Sequence, residues 1–415
     1  MPIHASPGVY FETYSGIVSN SRIISPVYVK TVRSSVINPE PTPEPTPEPT
    51  PEPTPEPIIS TWWNDLELDA QGLYSTGILV ETYPFKYNYT FDQDDVFWYP
   101  DSSTWDLCYL DTNGVTHELN LDVGVSLMTL GLDGKIWFID CNTPDFNICY
   151  YDPSNSQFKR YENTSADNAY SDKLLFDSNG NVYYTDYNNS TLAILNPETE
   201  VITDTGLDLY SSLIKSNDGK FWFVGFDCIT YYDPETTESR KIAAWTSPKI
   251  VSDNNGKIWM YLDLMTTREL AYYDSINDNI VSIAGTHVLN DTFLVDLNNK
   301  IWYIDSVYIP EQDLTTKYLT SYDIETDTLT KLENTSVNGC LFMDNSGNLW
   351  FNNSNNSIGY YNIETDRVER IMINPADVGF YFDSDNNMFM IKETGTSYVG
   401  ELVARPAETP FAPPM

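Results

Sequence analysis

The chain has 415 residues, 41% of them hydrophobic and 14% aromatic, which is enough apolar side chain for a substantial core and excludes global disorder. Its formal charge of −38, from 60 acids against 22 bases, excludes nucleic acid as a partner, because phosphate binding draws on Lys and Arg. The 30 Tyr and 10 Trp favour β-structure, since aromatic rings fit a pleated, half-buried surface.

Residues 1–38 form a chemically separate arm. Arg22, Lys30 and Arg33 face a single acid, Glu12, so the arm carries +2 and the remainder −40. "GVYFETY" and "RIISPVYVKTV" read as short strands, and Pro26 marks an edge strand or a break. A segment this short cannot bury a core of its own, so it is expected to order only when docked on another surface. "MPIHASPGVY" has neither the basic n-region nor the apolar h-region of a secretory leader. No apolar run is long enough to span a bilayer. The expectation is a protein made in a cytoplasm, without a membrane span and not exported by the usual secretory route.

Residues 39–57 are a linker. Proline occupies every odd position, and glutamate recurs every fourth residue from Glu40 to Glu56. Proline fixes φ and restricts the residue before it, which favours polyproline II. At ~3.1 Å per residue the stretch holds its ends up to roughly 60 Å apart. A PxxP ligand for a recognition domain is the weaker alternative, since the repeat lacks a basic flank.

Residues 58–415 repeat. An Asp/Asn/Gly turn followed by an aliphatic–aromatic strand returns eight times, as in "DQDDVFWY", "LDGKIWFI", "DSNGNVYYT", "SNDGKFWFV" and "DNNGKIWMY". The equivalent aromatics are read as Phe97, Trp137, Tyr183, Trp222, Trp259, Trp302, Trp350 and Phe389, and they are assigned to the blade core. A second element, "YYDPSNSQFKRY" or "YYNIETDRVERI", follows in most units and supplies a strand, a tight turn and another strand. Four short antiparallel strands at a period of roughly 40 residues specify a β-propeller blade. The predicted fold is therefore all-β: a β-propeller of eight four-stranded blades, or seven if an end unit is degenerate, preceded by the short β arm and the Pro-rich linker. The last unit lacks a clear fourth strand, while "YSTGILVETYP" lies spare ahead of the first, so the N-terminal strand is expected to complete the last blade.

The blade motifs, above all "DGKIWF...YYDP" and "SGNLWF...IGYYNIETD", resemble the two-component-regulator propeller repeat and the streptogramin (virginiamycin B) lyase propeller over nearly all of residues 90–400. These motifs specify fold well and function poorly. "ASPGVYFETY" resembles the opening "SPGVY" stretch of contractile phage tail sheath proteins, whose N-terminal segments exchange strands between subunits. That resemblance implies an anchoring arm through Pro7, Gly8, Val9, Tyr10, Phe11 and Tyr14. It covers about ten residues, and the rest of a sheath protein is absent.

Residues for chemistry are sparse. "DSNGN" (Asp177 to Asn181) and "DNSGN" (Asp344 to Asn348) offer alternating oxygens, but neither turn has the in-register bidentate Glu of a calcium loop, so both read as hairpin turns. The five cysteines, Cys108, Cys141, Cys149, Cys228 and Cys340, show no metal spacing and read as buried free thiols. The resemblance to streptogramin lyases implies histidine and Mg²⁺, yet His117 and His287 occupy unlike positions, each without an evident carboxylate partner. One tyrosine of each YYD pair is expected to face solvent, giving a rim that suits a carbohydrate or a protein. No catalytic residue, metal or cofactor is therefore assigned.

The arm, spacer and ring together suggest a non-enzymatic bacteriophage virion protein, associated with tail or capsid. In that reading the arm docks on other virion proteins and the propeller meets a host surface glycan or protein. The alternatives are a streptogramin-lyase-like enzyme and a cellular sensor or surface propeller of the two-component type.

Overall fold

The computed structural model describes residues 74–81, 89–166, 174–243, 249–263, 268–309, 314–332, 335, 337–353, 357–371, 375–396 and 399–405. The chain divides into two units, Met1–Ile58 and Ile59–Met415, and the described residues all lie in the second. The arm residues Pro7, Gly8, Val9, Tyr10, Phe11 and Tyr14, and the whole linker, lie outside them.

The described residues are all-β and fold into eight four-stranded antiparallel blades, as the sequence period predicts. Blades 1 to 7 are meanders in chain order, over residues 90–118, 125–161, 175–208, 211–243, 251–282, 288–332 and 337–371. Blade 8 is composite. Three strands come from residues 375–405, and the outermost is Tyr74–Glu81, which pairs antiparallel with Val399–Arg405. Ile78 of that strand is buried, and Thr76 Oγ1 donates to the Leu402 carbonyl at 2.5 Å. Inner strands of successive blades touch around the ring.

Eight apolar clusters fill the eight spaces between blades. The strand alternation explains how one short motif serves two of them. In blade 5, Ile258 and Met260 pack towards blade 4, while Trp259 between them packs towards blade 6. The predicted core aromatics Trp137, Tyr183, Trp222, Trp259, Trp302, Trp350 and Phe389 are all buried, each in the cluster shared with the next blade. Blade 1 corrects the sequence reading by one residue. Phe97 packs back against blade 8, and Trp98 is the residue that faces blade 2. The offset arises because blade 1 carries two adjacent aromatics, and a one-residue slip changes faces.

In most blades the repeated aromatic is tied to the turn before it. Trp98, Trp259, Trp302 and Trp350 donate Nε1–H to Asp92, Asp253, Asp296 and Asp344 at 2.8, 3.0, 2.7 and 3.0 Å. Tyr183 donates its hydroxyl to Asp177 at 3.2 Å. The other oxygen of each Asp accepts backbone N–H groups two and four residues on, as Asp253 does from Asn255 and Lys257. The turns containing Asp177 and Asp344 thus use both carboxylate oxygens internally. The fourth turn position has positive φ in all eight blades and holds Gly at 134, 180, 219, 256 and 347, Asn at 299 and 386, and Asp95. In blade 2 the acid moves two residues along. Asp133 there receives the Trp137 indole at 3.3 Å and pairs with Lys135 at 2.5 Å.

The turns also bond to one another around this end of the ring. Asn254 N donates to Asn299 Oδ1 at 2.8 Å, and Asn345 N donates to Asn386 Oδ1 at 2.8 Å. Ser384 N donates to Asp95 Oδ1 at 2.8 Å, which joins the last blade to the first. Beside that closure, burial pushes Asp383 up to about 6, with Asp95 and Asp385 adding repulsion against the hydrogen bonds from Asn387. A raised carboxyl pKa favours the protonated form in the folded state, so its contribution is present below the unfolded pKa and lost as pH rises through about 6. The melting temperature of the native protein minus that of D383N should therefore fall between roughly pH 4 and pH 6.5 and then level off. Scanning calorimetry of both proteins across that range checks this, and parallel curves would refute it.

Candidate functional site

Four antiparallel strands per blade place the tight turns at one end of the ring. The loops between second and third strands, and the blade-to-blade connections, lie at the other end. This second end, the loop face, is where residues depart from the repeat, and it carries two features.

The first is a pair of buried acids at one repeat position. Asp140 and Asp305 each stand three residues after the core tryptophan, Trp137 and Trp302, and both side chains are fully buried. Each meets a cation from its own outermost strand. Arg160 reaches Asp140 at 2.5 Å, and Lys331 lies in contact with Asp305. The registers match, since Arg160 pairs with Cys149 opposite Phe138, and Lys331 pairs with Thr320 opposite Tyr303.

The difference lies on the other side of the carboxylate. In blade 2 the backbone N–H of Gly124 donates to Asp140 at 2.9 Å, and Asn142 N donates at 3.0 Å. In blade 6 the residue in the place of Gly124 is His287, whose Nδ1 stands 3.5 Å from Asp305 Oδ1. Neither Asp305 oxygen makes a hydrogen bond of good geometry, so Lys331 is the cation placed to balance its charge, with the His287 ring beside it. His287 therefore does have a carboxylate partner, contrary to the sequence expectation. The pairing joins the start of one strand to the end of the next, across the hairpin that Val288 and Asp305 close. His117 has one as well, with Nε2 3.0 Å from Asp111 Oδ2 and its ring stacked on Tyr109 at 4.5 Å. His117 lies on the outermost strand of blade 1, and His287 precedes the innermost strand of blade 6, so the two histidines belong to separate places.

The second feature is a row of aromatic rings. Among the described residues three aromatic side chains are exposed: Tyr187 at 55%, Tyr210 at 52% and Phe226 at 82%. All three are on the loop face of blades 3 and 4. Tyr187 meets Phe146 of blade 2 edge-on at 5.8 Å, and Tyr210 meets Phe226 edge-on at 6.3 Å. The expected solvent-facing YYD tyrosines are not part of it. Tyr150, Tyr151, Tyr273 and Tyr361 are buried and the others half-buried, because the first ring of a pair packs on the core tryptophan of its blade and the second packs on the preceding blade or bonds to the turn. Tyr272 lies 5.0 Å from Trp259, and Tyr273 donates to Asp278 at 2.9 Å.

The thiols show no disulfide among the described residues. Cys108, Cys149 and Cys228 are buried, while Cys141 is half-buried rather than buried; the side chain of Cys340 lies outside the described residues. Burial, reinforced by nearby acids, pushes the Cys108 and Cys149 thiols up to about 12, which keeps them protonated and unreactive.

No family model matches the sequence, and no curated protein matches it. Solved structures do. A streptogramin B lyase is 16% identical, over 79% of this chain and 96% of that one, with a TM-score of 0.45. An oligogalacturonate lyase in complex with manganese is 12% identical, over 77% and 97%, with a TM-score of 0.51. The oligogalacturonate lyase of Vibrio parahaemolyticus is 13% identical, over 78% and 97%, with a TM-score of 0.50. This chain is a β-propeller. At such identities the likeness concerns the fold, and the blade motifs that resemble the streptogramin lyase repeat are the ones that build it.

The two signals for the buried acids were present in the sequence. "KIWFID" and "KIWYID" repeat the acid, and "FKRY" and "LTKL" repeat the cation. The aromatic row had no such signal, because its members do not recur. The matching pairs in blades 2 and 6 assign Asp305 and Lys331 a structural role. K331M should then cost about 2 kcal/mol by leaving a buried charge less compensated, while H287A should change stability by less than about 0.5 kcal/mol. Urea unfolding of both variants measures this.

Proposed function

We propose that this chain is a non-enzymatic bacteriophage virion protein that displays a binding propeller. Residues 1–38 anchor it to other virion proteins of the tail or capsid, residues 39–57 hold it away from the particle, and the ring meets a host surface glycan or a protein. The observation that carries this reading is the self-sufficiency of the ring. Its eight blades run from Tyr74 to Arg405, with the first and last blades joined by the Tyr74–Glu81 strand and by Ser384–Asp95. No strand-forming sequence of the arm is needed to finish it, so the "GVYFETY" and "RIISPVYVKTV" stretches are left for another partner. The "SPGVY" likeness to tail sheath proteins supports a particle as that partner.

A lyase-like enzyme is the second reading, and one observation favours it. His287 is 44% exposed and its Nδ1 stands 3.5 Å from the buried Asp305 carboxylate, the kind of neighbour a proton-transferring imidazole uses, although no hydrogen bond joins them. The matching Asp140–Arg160 pair, which has glycine where His287 stands, weighs against it.

Immunogold electron microscopy of purified particles with antibody to the propeller tests the first reading. Label is expected at a fixed place on the particle and is expected to vanish when residues 1–38 are deleted. Particles without label would refute the proposal.

A further inference from the structure

We propose that the loop face of blades 2 to 4 binds a neutral, hydroxyl-rich glycan through the row Phe146, Tyr187, Tyr210 and Phe226. This deepens the display reading and rests on it. Among the described residues, most other aromatic side chains of the ring are spent on cores that repeat from blade to blade. These four occur once each, so no repeated packing role accounts for them. Leaving Phe226 82% exposed forgoes the burial that a large apolar ring ordinarily gains. The other exposed apolar side chains, such as Leu132, Ile276 and Leu297, are aliphatic and sit on the turns at the opposite end.

The row is held by backbone bonds. Tyr187 N donates to the Ser165 carbonyl at 2.7 Å, Leu209 N to Ser190 at 2.9 Å, Tyr210 N to Val224 at 2.8 Å and Gly225 N to Cys228 at 2.8 Å. A binding platform on pinned loops loses little entropy on engagement. Between the rings lie exposed groups that exchange hydrogen bonds with hydroxyls. Asn188 is steadied by Ser165 Oγ at 2.8 Å, Asn189 lies between Asp186 and Asp204, and Asp227 is exposed beside Phe226. Flat rings flanked by amides and carboxylates match a sugar, whose C–H faces stack on aromatics while its hydroxyls donate and accept.

Charge selects the class of glycan. Asp186, Asp204, Asp208 and Asp227 surround the row, and the ammonium of Lys241 there is held by Asp208 at 2.8 Å. Four carboxylates against one paired cation repel phosphate, sulfate and uronate groups.

The test is affinity electrophoresis of the full-length protein in gels containing soluble neutral polysaccharides (mannan, amylose, hydroxyethyl cellulose, β-glucan, galactomannan), with polygalacturonate and heparin as acidic controls. At least one neutral polymer should retard the protein. The retardation should hold between roughly 50 and 500 mM salt. It should weaken at least about fivefold in F226A and vanish in the Tyr187→Ala, Tyr210→Ala, Phe226→Ala triple variant. L132A and I276A, on the other end, should leave it unchanged. Retardation by none of the neutral polymers, equal retardation by an acidic one, or retention in the triple variant would each overturn the proposal. A protein ligand captured by the same row and lost in the triple variant would overturn it as well. If particle labelling succeeds while this test fails, the display reading stands and the glycan assignment falls; the opposite pair of results leaves a glycan-binding propeller that is not on a virion.

Discussion

The constraint on which this molecule depends is closure. A four-stranded blade is flat and apolar on both faces, so a row of blades ends in two uncovered surfaces unless it meets itself. Here the two ends meet through a strand taken from before the first blade. Tyr74–Glu81 pairs with Val399–Arg405, joining residues over three hundred positions apart. The cluster between blades 8 and 1, which includes Ile78, Phe97, Phe389 and Leu402, is assembled only when that strand is in place. Contacts of such separation are costly to form and cooperative once formed.

Within the ring, a local rule recurs in five of the eight blades. An aspartate caps its own turn with one oxygen and receives the aromatic of the next strand with the other, which fixes the ring of that aromatic against the following blade. Blade 2 reaches the same end with the acid shifted to Asp133 and a lysine beside it. The interior of each blade interface is thereby committed to structure. What remains free for recognition is the loop face, where strands connect without a repeated motif.

That division explains what was legible in the sequence. Periodicity exposed everything that repeats, so the blade count, the buried Trp137, Trp222, Trp259, Trp302 and Trp350, and the spare strand at "YSTGILVE" were all readable. Face assignments within a unit were harder. Phe97 and Trp98 are adjacent aromatics on opposite faces, and only the six-residue spacing from Asp92 separates them. The YYD tyrosines misled because a polar hydroxyl suggested solvent, whereas in Tyr273, Tyr322 and Tyr361 it serves the neighbouring turn. The His287–Asp305 contact and the Phe146–Tyr187 and Tyr210–Phe226 rings join positions that no local pattern relates. They became visible only when the loops were brought to one end of the ring.

The central claim is that residues 74–81 belong to the ring and close it. Thermal unfolding and amide hydrogen exchange of two truncated chains test it most directly, one starting at Tyr74 and one lacking residues 1–81. The first is expected to melt with the intact protein and to keep full protection in Val399–Arg405. The second is expected to melt lower and to lose protection there and in Met388–Thr396. An unchanged melting temperature and unchanged protection in the second chain would contradict closure by the N-terminal strand.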